Sequence, residues 1–298
     1  MSRAIEMKYR DAKEAFGKFG IDTDNVLGRL KSTPVSINCW QGDDVAGFED
    51  PGAALAGGGI LATGNHPGKP RNIDEFRMDT EKAFSMIPGN KKLALHAIYG
   101  DFPDGLEDRR KVDFKHFKSW SDWAKENECG LDFNPTMFSH KMAESGYTLS
   151  DDDKGVRDFW IEHVQNCRKI CDFLGDDIGI TCYNNLWLPD GSKDETVSRL
   201  RHRENLISSL DEIFKLRFED KNMQDSLESK LFGIGVERSS FKSEDKNTLC
   251  RATVVPLKSS MIKIIINDRE STLSKREGFV SESAASTRKK LSIDWKIK

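Results

Sequence analysis

Residues 130–191 decide the fold, because a strand, a long helix and a second strand follow one another in this segment. The segment begins with GLDFNP (130–135), continues through VRDFWIEHVQNCRKICDFL (156–174) and ends with TCYNNLWLPDG (181–191). Apolar side chains recur at spacings of three and four in the middle part, which predicts one amphipathic helix from Val156 to Leu174. The run Thr181–Leu188 is strand-like and ends at the turn residues Pro189-Asp190-Gly191. The segment therefore predicts a strand–helix–strand unit.

Outward from this unit, the same cycle of strand, polar loop and helix recurs about five times. The strand-like runs are Val35–Trp40, Leu93–Tyr99, Gly130–Pro135, Thr181–Leu188 and Ser226–Gly235. The helical patterns are 12–19, Val26–Leu30 with Asp24 as its expected N-cap, Asp74–Ile87, Phe114–Asn127, Val156–Leu174 and Arg199–Phe214. The repeated cycle predicts parallel strands joined by helical crossovers.

The expected fold class is α/β, an incomplete barrel of the (β/α)8 (TIM-barrel) family with an atypical C-terminal segment. Reactive groups of such barrels lie at the C-terminal ends of the strands. Polar residues cluster at those ends in this sequence. An open, doubly wound sheet is the alternative, and it is disfavoured because no glycine-rich phosphate loop opens a helix after the first strand.

Charge and composition exclude several classes of protein. The net charge of −3 gives no reason to expect a nucleic-acid partner or an anionic membrane surface. No apolar run approaches the roughly 18 residues that a membrane span needs, and the charged start of the chain lacks the apolar core of a signal peptide. We therefore expect a cytoplasmic protein. Cys167 and Cys171 share one helix face. We expect them to be small buried side chains of the core, and a metal site is the disfavoured alternative.

The composition changes near residue 238. Residues 238–298 contain 14 Lys and Arg against 7 Asp and Glu, whereas residues 1–237 contain 32 against 42. Only Met261–Ile266 in the later part has a strong β pattern. The expected organisation is a barrel portion over residues 1–237, followed by an atypical basic tail rich in Ser, Lys and Arg over residues 238–298 that is either disordered or frameshifted.

Five positions in or at the ends of strands are candidates for chemistry. Glu228 and Lys230 lie two apart on a strand and so project to one face, where they could hold a metal and a substrate oxygen or form a surface ion pair. His96 lies within an otherwise apolar strand, where it is either a hydrogen-bonded core histidine or a catalytic one. Trp40 and Trp187 could line a sugar pocket or belong to the core.

Two further polar pairs also lie near strand ends. Asp132 and Asn134 could bind hydroxyl groups or stabilise the following loop. Asp43 and Asp44 could serve a site or cap a turn.

Six runs in this order resemble the L-rhamnose isomerase family, and the resemblance extends from the N-terminus to about residue 236. They are Cys39–Val45 (CWQGDDV), Thr63–Lys69 (TGNHPGK), Leu95–Tyr99 (LHAIY), Gly130–Pro135 (GLDFNP), Leu186–Gly191 (LWLPDG) and Glu228–Gly235 (ESKLFGIG). The resemblance implies a (β/α)8 barrel, usually homotetrameric, that interconverts L-rhamnose and L-rhamnulose in rhamnose catabolism with two divalent metal ions, commonly manganese.

The resemblance also implies residue roles. Glu228 corresponds to a ligand of the structural metal, and Lys230 corresponds to the lysine that contacts the substrate. His96, Trp40 and Trp187 match positions that face the sugar pocket.

The sequence departs from the family pattern after Glu228. The family's further ligands form an Asp-x-x-His group, another His, an Asp-x-Asp pair and a final Asp, and none of them is matched downstream. The last histidine is His202, which precedes Glu228. The alternative to an active isomerase is therefore a truncated, catalytically inactive remnant that binds at most sugar or partner subunits, for which a tetramer is doubtful. A third possibility is a barrel enzyme that acts on another aldose. It is disfavoured because all six runs resemble L-rhamnose isomerase and occur in the same order.

Overall fold

The architecture comes from a computed structural model of the 298-residue chain. The structure describes residues 3–38, 47–48, 70–106, 108–192, 198–229, 238–239 and 255–257. Trp40, Lys230, Asp43, Asp44 and the run Met261–Ile266 lie outside these ranges, so the predictions made for them stay predictions.

Helices and strands alternate through most of the described ranges. The helices are α1 (Arg3–Gly17), α2 (Thr23–Ser32), α3 (Ile73–Met86), α4 (Lys118–Glu126), α5 (Lys154–Ile178) and α6 (Arg199–Ile213). The strands are β1 (Val35–Ile37), β2 (Lys91–His96), β3 (Gly130–Asn134), β4 (Cys182–Leu188), β5 (Gly191–Ser192), β6 (Met223–Ser229), β7 (Arg238–Ser239) and β8 (Val255–Leu257). Short 3-10 turns follow β2 and precede α4.

The main sheet has the strand order β1-β2-β3-β4-β6-β8. The first five strands are parallel and succeed one another in chain order, while β8 joins β6 in the antiparallel sense. A doubly wound sheet would reverse its strand order at a switch point, and the described strands contain no such reversal. The architecture is therefore α/β with a parallel sheet that forms half of a (β/α) barrel, as the repeated cycle predicts.

The core lies between this sheet and its helices. Because side chains alternate along a strand, one face of each strand is apolar; Leu93, Leu95, Leu131 and Phe133 are fully or almost fully buried there. They belong to the same apolar cluster as aromatic and aliphatic side chains from α3, α4 and α5. The other face of the strands carries mostly polar side chains, and it forms the concave side of the half-barrel.

Helix α5 is the central element of this packing. It begins after Asp153, whose side chain accepts a hydrogen bond from the Gly155 N–H at 2.7 Å, and it ends at Gly179 with φ of 75°. Its Arg168 forms a buried ion pair with Asp225 of β6, with Nη2 and Oδ2 2.9 Å apart. The helix is thereby fixed to the strand that carries Glu228.

Several predicted boundaries were wrong. The N-cap of α2 is Asp22, which accepts hydrogen bonds from the backbone N–H groups of Asp24 and Asn25; Asp24 instead lies in the first turn and pairs with Lys13. Strand β2 starts at Lys91 and ends at His96, because the next three residues form a 3-10 turn.

The last parallel strand begins at Met223, three residues before the predicted start. None of the helices in the described ranges is long and apolar enough to cross a membrane.

Candidate functional site

The candidate site lies on the concave face of the sheet, at the C-terminal ends of β2, β4 and β6. His96 is the last residue of β2, and it is level with Asn134 at the end of β3. Trp187 of β4 is level with Glu228 of β6. The parallel register therefore brings three residues that were predicted separately to one edge of the sheet.

Glu228 is oriented by its neighbour strand. Asn185 donates a hydrogen bond from Nδ2 to Oε2 of Glu228 at 2.6 Å. Ser226 in turn donates to Oδ1 of Asn185 at 2.9 Å, which fixes the amide with its NH2 group toward the carboxylate. Glu228 is only partly buried, so this carboxylate is both held in one orientation and open to solvent or a ligand. Asn185 belongs to the polar residues that cluster at strand ends in the sequence, but no individual role was predicted for it.

His96 is hydrogen-bonded and partly buried. Its Nδ1 lies 3.1 Å from the hydroxyl oxygen of Thr136. Its ring lies between the rings of Tyr99, at 5.4 Å between centroids, and Phe138, at 6.0 Å. The geometry is compatible with either role predicted for this histidine, and the contact with Thr136 fixes its ring.

Phe138 connects the two ends of the site. Its ring is perpendicular to the Trp187 ring at 5.4 Å between centroids, and it also contacts the edge of His96. Both Phe138 and Trp187 are partly exposed. Together they form an aromatic wall along the concave face, which is the kind of surface on which the apolar side of a sugar ring can pack.

Arg109 holds the loop that carries Phe138. Its buried guanidinium donates to the carbonyl oxygens of Thr136 at 2.8 Å, Phe138 at 2.6 Å and Ser139 at 3.1 Å. Thr136 and Ser139 have φ values of 58° and 51°, a region that non-glycine residues seldom occupy. The fork of a guanidinium matches several carbonyl groups at once, and it stabilises this strained loop.

Sequence reasoning missed Arg109, Thr136 and Phe138, because Arg109 reaches the loop across 27 to 30 positions of the chain. One local signal was available. Asn134-Pro135-Thr136 has the composition of an Asx-turn, and Oδ1 of Asn134 does accept a hydrogen bond from the Thr136 N–H at 2.8 Å.

The opposite end of the concave face is closed by a buried ion pair between Lys92 and Asp132. Lys92 also donates to the carbonyl oxygen of Thr181 at 2.7 Å, and Asp132 accepts from the Tyr183 N–H at 2.8 Å. These internal contacts engage Oδ1 of Asp132, and the suggestion that Asp132 binds hydroxyl groups stays a prediction.

The four described cysteines are all buried. Burial raises the pKa of the Cys129 thiol to about 11 and raises those of Cys167 and Cys171 well above their usual range. These thiols therefore remain protonated at neutral pH and serve as small core side chains, as predicted for Cys167 and Cys171.

A divalent metal ion needs several convergent oxygen or nitrogen ligands. Within the described ranges, no group of three or more His, Cys, Asp or Glu side chains is arranged to hold one. Glu228 offers one oriented carboxylate, so the described residues by themselves do not fit a metal ion.

Comparison with known proteins identifies the family. A family model described as L-rhamnose isomerase matches residues 3–274, which is most of the chain. The chain belongs to the L-rhamnose isomerase family. The match continues beyond residue 237 into the segment predicted to be an atypical tail, and a boundary at that position stays a prediction.

Individual L-rhamnose isomerases are closely similar to the chain. The enzyme of Enterobacter sp. (strain 638) is 48% identical over 237 residues, which is 80% of this chain and 56% of that protein. The enzyme of Listeria monocytogenes serotype 4b (strain F2365) is 49% identical over 233 residues, or 78% of this chain and 55% of that protein. The enzyme of Yersinia pseudotuberculosis serotype IB (strain PB1/+) is 48% identical over 237 residues. The chain thus matches little more than half the length of these L-rhamnose isomerases.

Proposed function

We propose that the chain acts in the interconversion of L-rhamnose and L-rhamnulose, with its sugar site on the concave face at the ends of β2, β4 and β6. One observation supports this proposal above the others. His96, Trp187 and Glu228 are far apart in a sequence of the L-rhamnose isomerase family, yet they share one edge of one sheet.

The reaction is an internal redox exchange. The hydroxyl carbon C2 of the aldose is oxidised to a carbonyl and the aldehyde carbon C1 is reduced to an alcohol. One hydrogen moves from C2 to C1, and one proton leaves O2 while another reaches O1. Electrons and atoms balance within the sugar, so the protein has to bind the open chain, exclude water and guide protons.

Each residue of the site has a proposed part in this task. The aromatic wall of Phe138 and Trp187 packs against the sugar and keeps water from the reacting carbons. His96 exchanges a proton with a sugar hydroxyl. Lys230 contacts a substrate oxygen and Trp40 completes the pocket, two proposals that follow from the family resemblance.

Members of the family are generally metal-dependent, and manganese is the proposed ion. Glu228 is proposed as one of its ligands, held ready by Asn185. Because one carboxylate does not suffice, no chemical step is assigned to the metal here. A homotetramer and a cytoplasmic location are likewise proposed from the family resemblance.

The test is L-rhamnulose formation from L-rhamnose by the purified 298-residue chain, with added manganese and after chelation. We expect turnover that depends on manganese, and we expect Glu228→Gln to lower kcat/KM by at least about 100-fold, because the neutral amide is a much weaker ligand. Glu219→Gln is the matched control. Glu219 is an exposed residue whose carboxylate pairs with Lys221, and its replacement should leave turnover unchanged.

Folded protein without turnover at any manganese concentration would contradict isomerase activity in this chain. Sugar binding without turnover would then support the alternative, a remnant that binds but does not catalyse. Equal activity of the Glu228→Gln variant and the unaltered chain would contradict only the role proposed for Glu228, and not the isomerase activity.

A further inference from the structure

Thr136 is buried beside His96, and its hydroxyl group has three hydrogen-bonding neighbours. The N–H of Ala97 donates to Oγ1 at 3.1 Å. The carbonyl oxygen of Asn134 lies 3.2 Å away and Nδ1 of His96 lies 3.1 Å away, and either could accept the hydroxyl proton. A hydroxyl has one proton and two acceptor positions, so only some arrangements satisfy all the groups.

Counting the hydrogen bonds separates the two tautomers of His96. If the hydroxyl donates to Nδ1, the Asn134 carbonyl receives nothing from Thr136 and the second acceptor position of Oγ1 is unused. If the hydroxyl donates to the Asn134 carbonyl, Nδ1–H of His96 donates to that second position. The second arrangement makes three hydrogen bonds with Thr136 and the first makes two. Thr136 is fully buried, so solvent cannot occupy the acceptor position of Oγ1 that the first arrangement leaves unused.

We infer that Thr136 is a positioning residue that holds His96 in the tautomer with the proton on Nδ1. Nε2 then carries the lone pair of the ring, which is the form needed to take a proton from a sugar hydroxyl. The Arg109 guanidinium supports this arrangement. It binds the Thr136 carbonyl and so holds the backbone of Thr136 in its strained, positive-φ conformation. The use of Nε2 in catalysis rests on the proposed function, whereas the tautomer itself does not.

The test is a long-range proton–nitrogen NMR spectrum of the nitrogen-labelled 298-residue chain at about pH 8.5, where an ordinary imidazole is neutral. The chain has six histidines, and the signals of His96 are assigned by their loss in His96→Gln. We expect the proton of His96 on Nδ1. In Thr136→Val, which preserves shape and β-branching, we expect the proton to move to Nε2 in most molecules.

Thr136→Ser separates this role from simple packing. It keeps the hydroxyl and removes a methyl group, so it should retain the Nδ1–H form. Unchanged signals from the other five histidines report that each variant is folded. A proton on Nε2 of His96 in the unaltered chain would overturn the inference even if neither variant folds. An Nδ1–H form that persists in folded Thr136→Val would overturn it as well. The NMR experiment does not measure turnover. A wrong tautomer of His96 would therefore contradict this inference without bearing on the proposed isomerase activity.

Discussion

At the scale of single residues, the site depends on buried polar groups below it. His163 of α5 is fully buried, and its two ring nitrogens lie 2.9 Å and 2.6 Å from the carbonyl oxygens of Arg109 and Pro135. Arg109 is the residue whose guanidinium holds the loop of Phe138, and Pro135 directly precedes Thr136 of that loop. Burial lowers the pKa of His163 to about 4, although both carbonyl contacts oppose that shift. With this pKa His163 is neutral at physiological pH and has one N–H. One of the two carbonyl contacts is therefore a hydrogen bond, and it joins α5 to the loops that shape the site.

This pKa predicts an acid-sensitive contribution to stability. The folded-state pKa is below the ordinary value of 6.5, so the contribution is fully present above pH 6.5 and is lost as pH falls toward 4. Over that interval the unfolded chain binds a proton that the folded chain does not, and the loss amounts to about 3 kcal/mol. Urea unfolding at pH 7.5 and at pH 4.5 should show a smaller pH dependence for His163→Gln than for the unaltered chain.

Cys167→Ala is the matched control for this measurement. Cys167 lies 3.6 Å from Nε2 of His163, so its replacement disturbs the same packing but keeps the titrating ring. It should lower the free energy of unfolding without changing the pH dependence. If His163→Gln had the same pH dependence as the unaltered chain, His163 would not be the group that titrates.

Sequence patterns singled out candidate site residues where chemistry was visible in one strand. His96, Trp187 and Glu228 each stood out as a polar or aromatic residue in or at the end of a predicted strand. Thr136 and Arg109 did not, because their importance comes from contacts made across 27 to 40 positions. A threonine in a loop and an arginine near a turn have no local pattern that distinguishes them from surface residues.

At the scale of secondary-structure elements, α5 illustrates what periodicity can predict. Its apolar stripe predicted the helix correctly, although the helix extends two residues before and four after the predicted range. The ends were missed because they are set by the N-cap residue Asp153 and the C-cap residue Gly179. Neither residue belongs to the apolar stripe on which the prediction was based. The close approach of α5 to the turn before β6 was not predictable either, since it depends on the small size of Gly175.

A methyl group at position 175 would collide with the backbone. The Cβ of an alanine there would lie 1.8 Å from the carbonyl oxygen of Asn222. Gly175→Ala should therefore lower the free energy of unfolding by about 2–3 kcal/mol, despite the higher helix propensity of alanine. Gly28→Ala in α2 provides the comparison, because no atom lies within 4 Å of its added Cβ.

Thermal and urea unfolding of both variants measure the difference. Gly28→Ala should be neutral or slightly stabilising, as expected for an open helix position. Equal stability of Gly175→Ala and the unaltered chain would mean that α5 and the segment before β6 are farther apart than described.

At the scale of the whole molecule, five parallel strands in chain order build one wall of a barrel. The wall has an apolar outer face packed on helices and a concave face that is closed at one end by Lys92 and Asp132. The other end carries the aromatic wall and Glu228. Repetition of the strand–helix cycle was sufficient to predict this architecture. Which side chains meet across the strands depends on register, and no single strand encodes the register by itself.

The central claim is that the concave face at the ends of β2, β4 and β6 binds the sugar. The most direct test is calorimetric titration of the folded 298-residue chain with L-rhamnose, compared with Trp187→Ala and with Trp123→Phe as a control for loss of a tryptophan in the core. We predict saturable binding that Trp187→Ala weakens by at least about tenfold, equivalent to about 1.4 kcal/mol, and that Trp123→Phe leaves unchanged. Binding that is equally strong in folded Trp187→Ala, or absent from the unaltered chain, would contradict the claim.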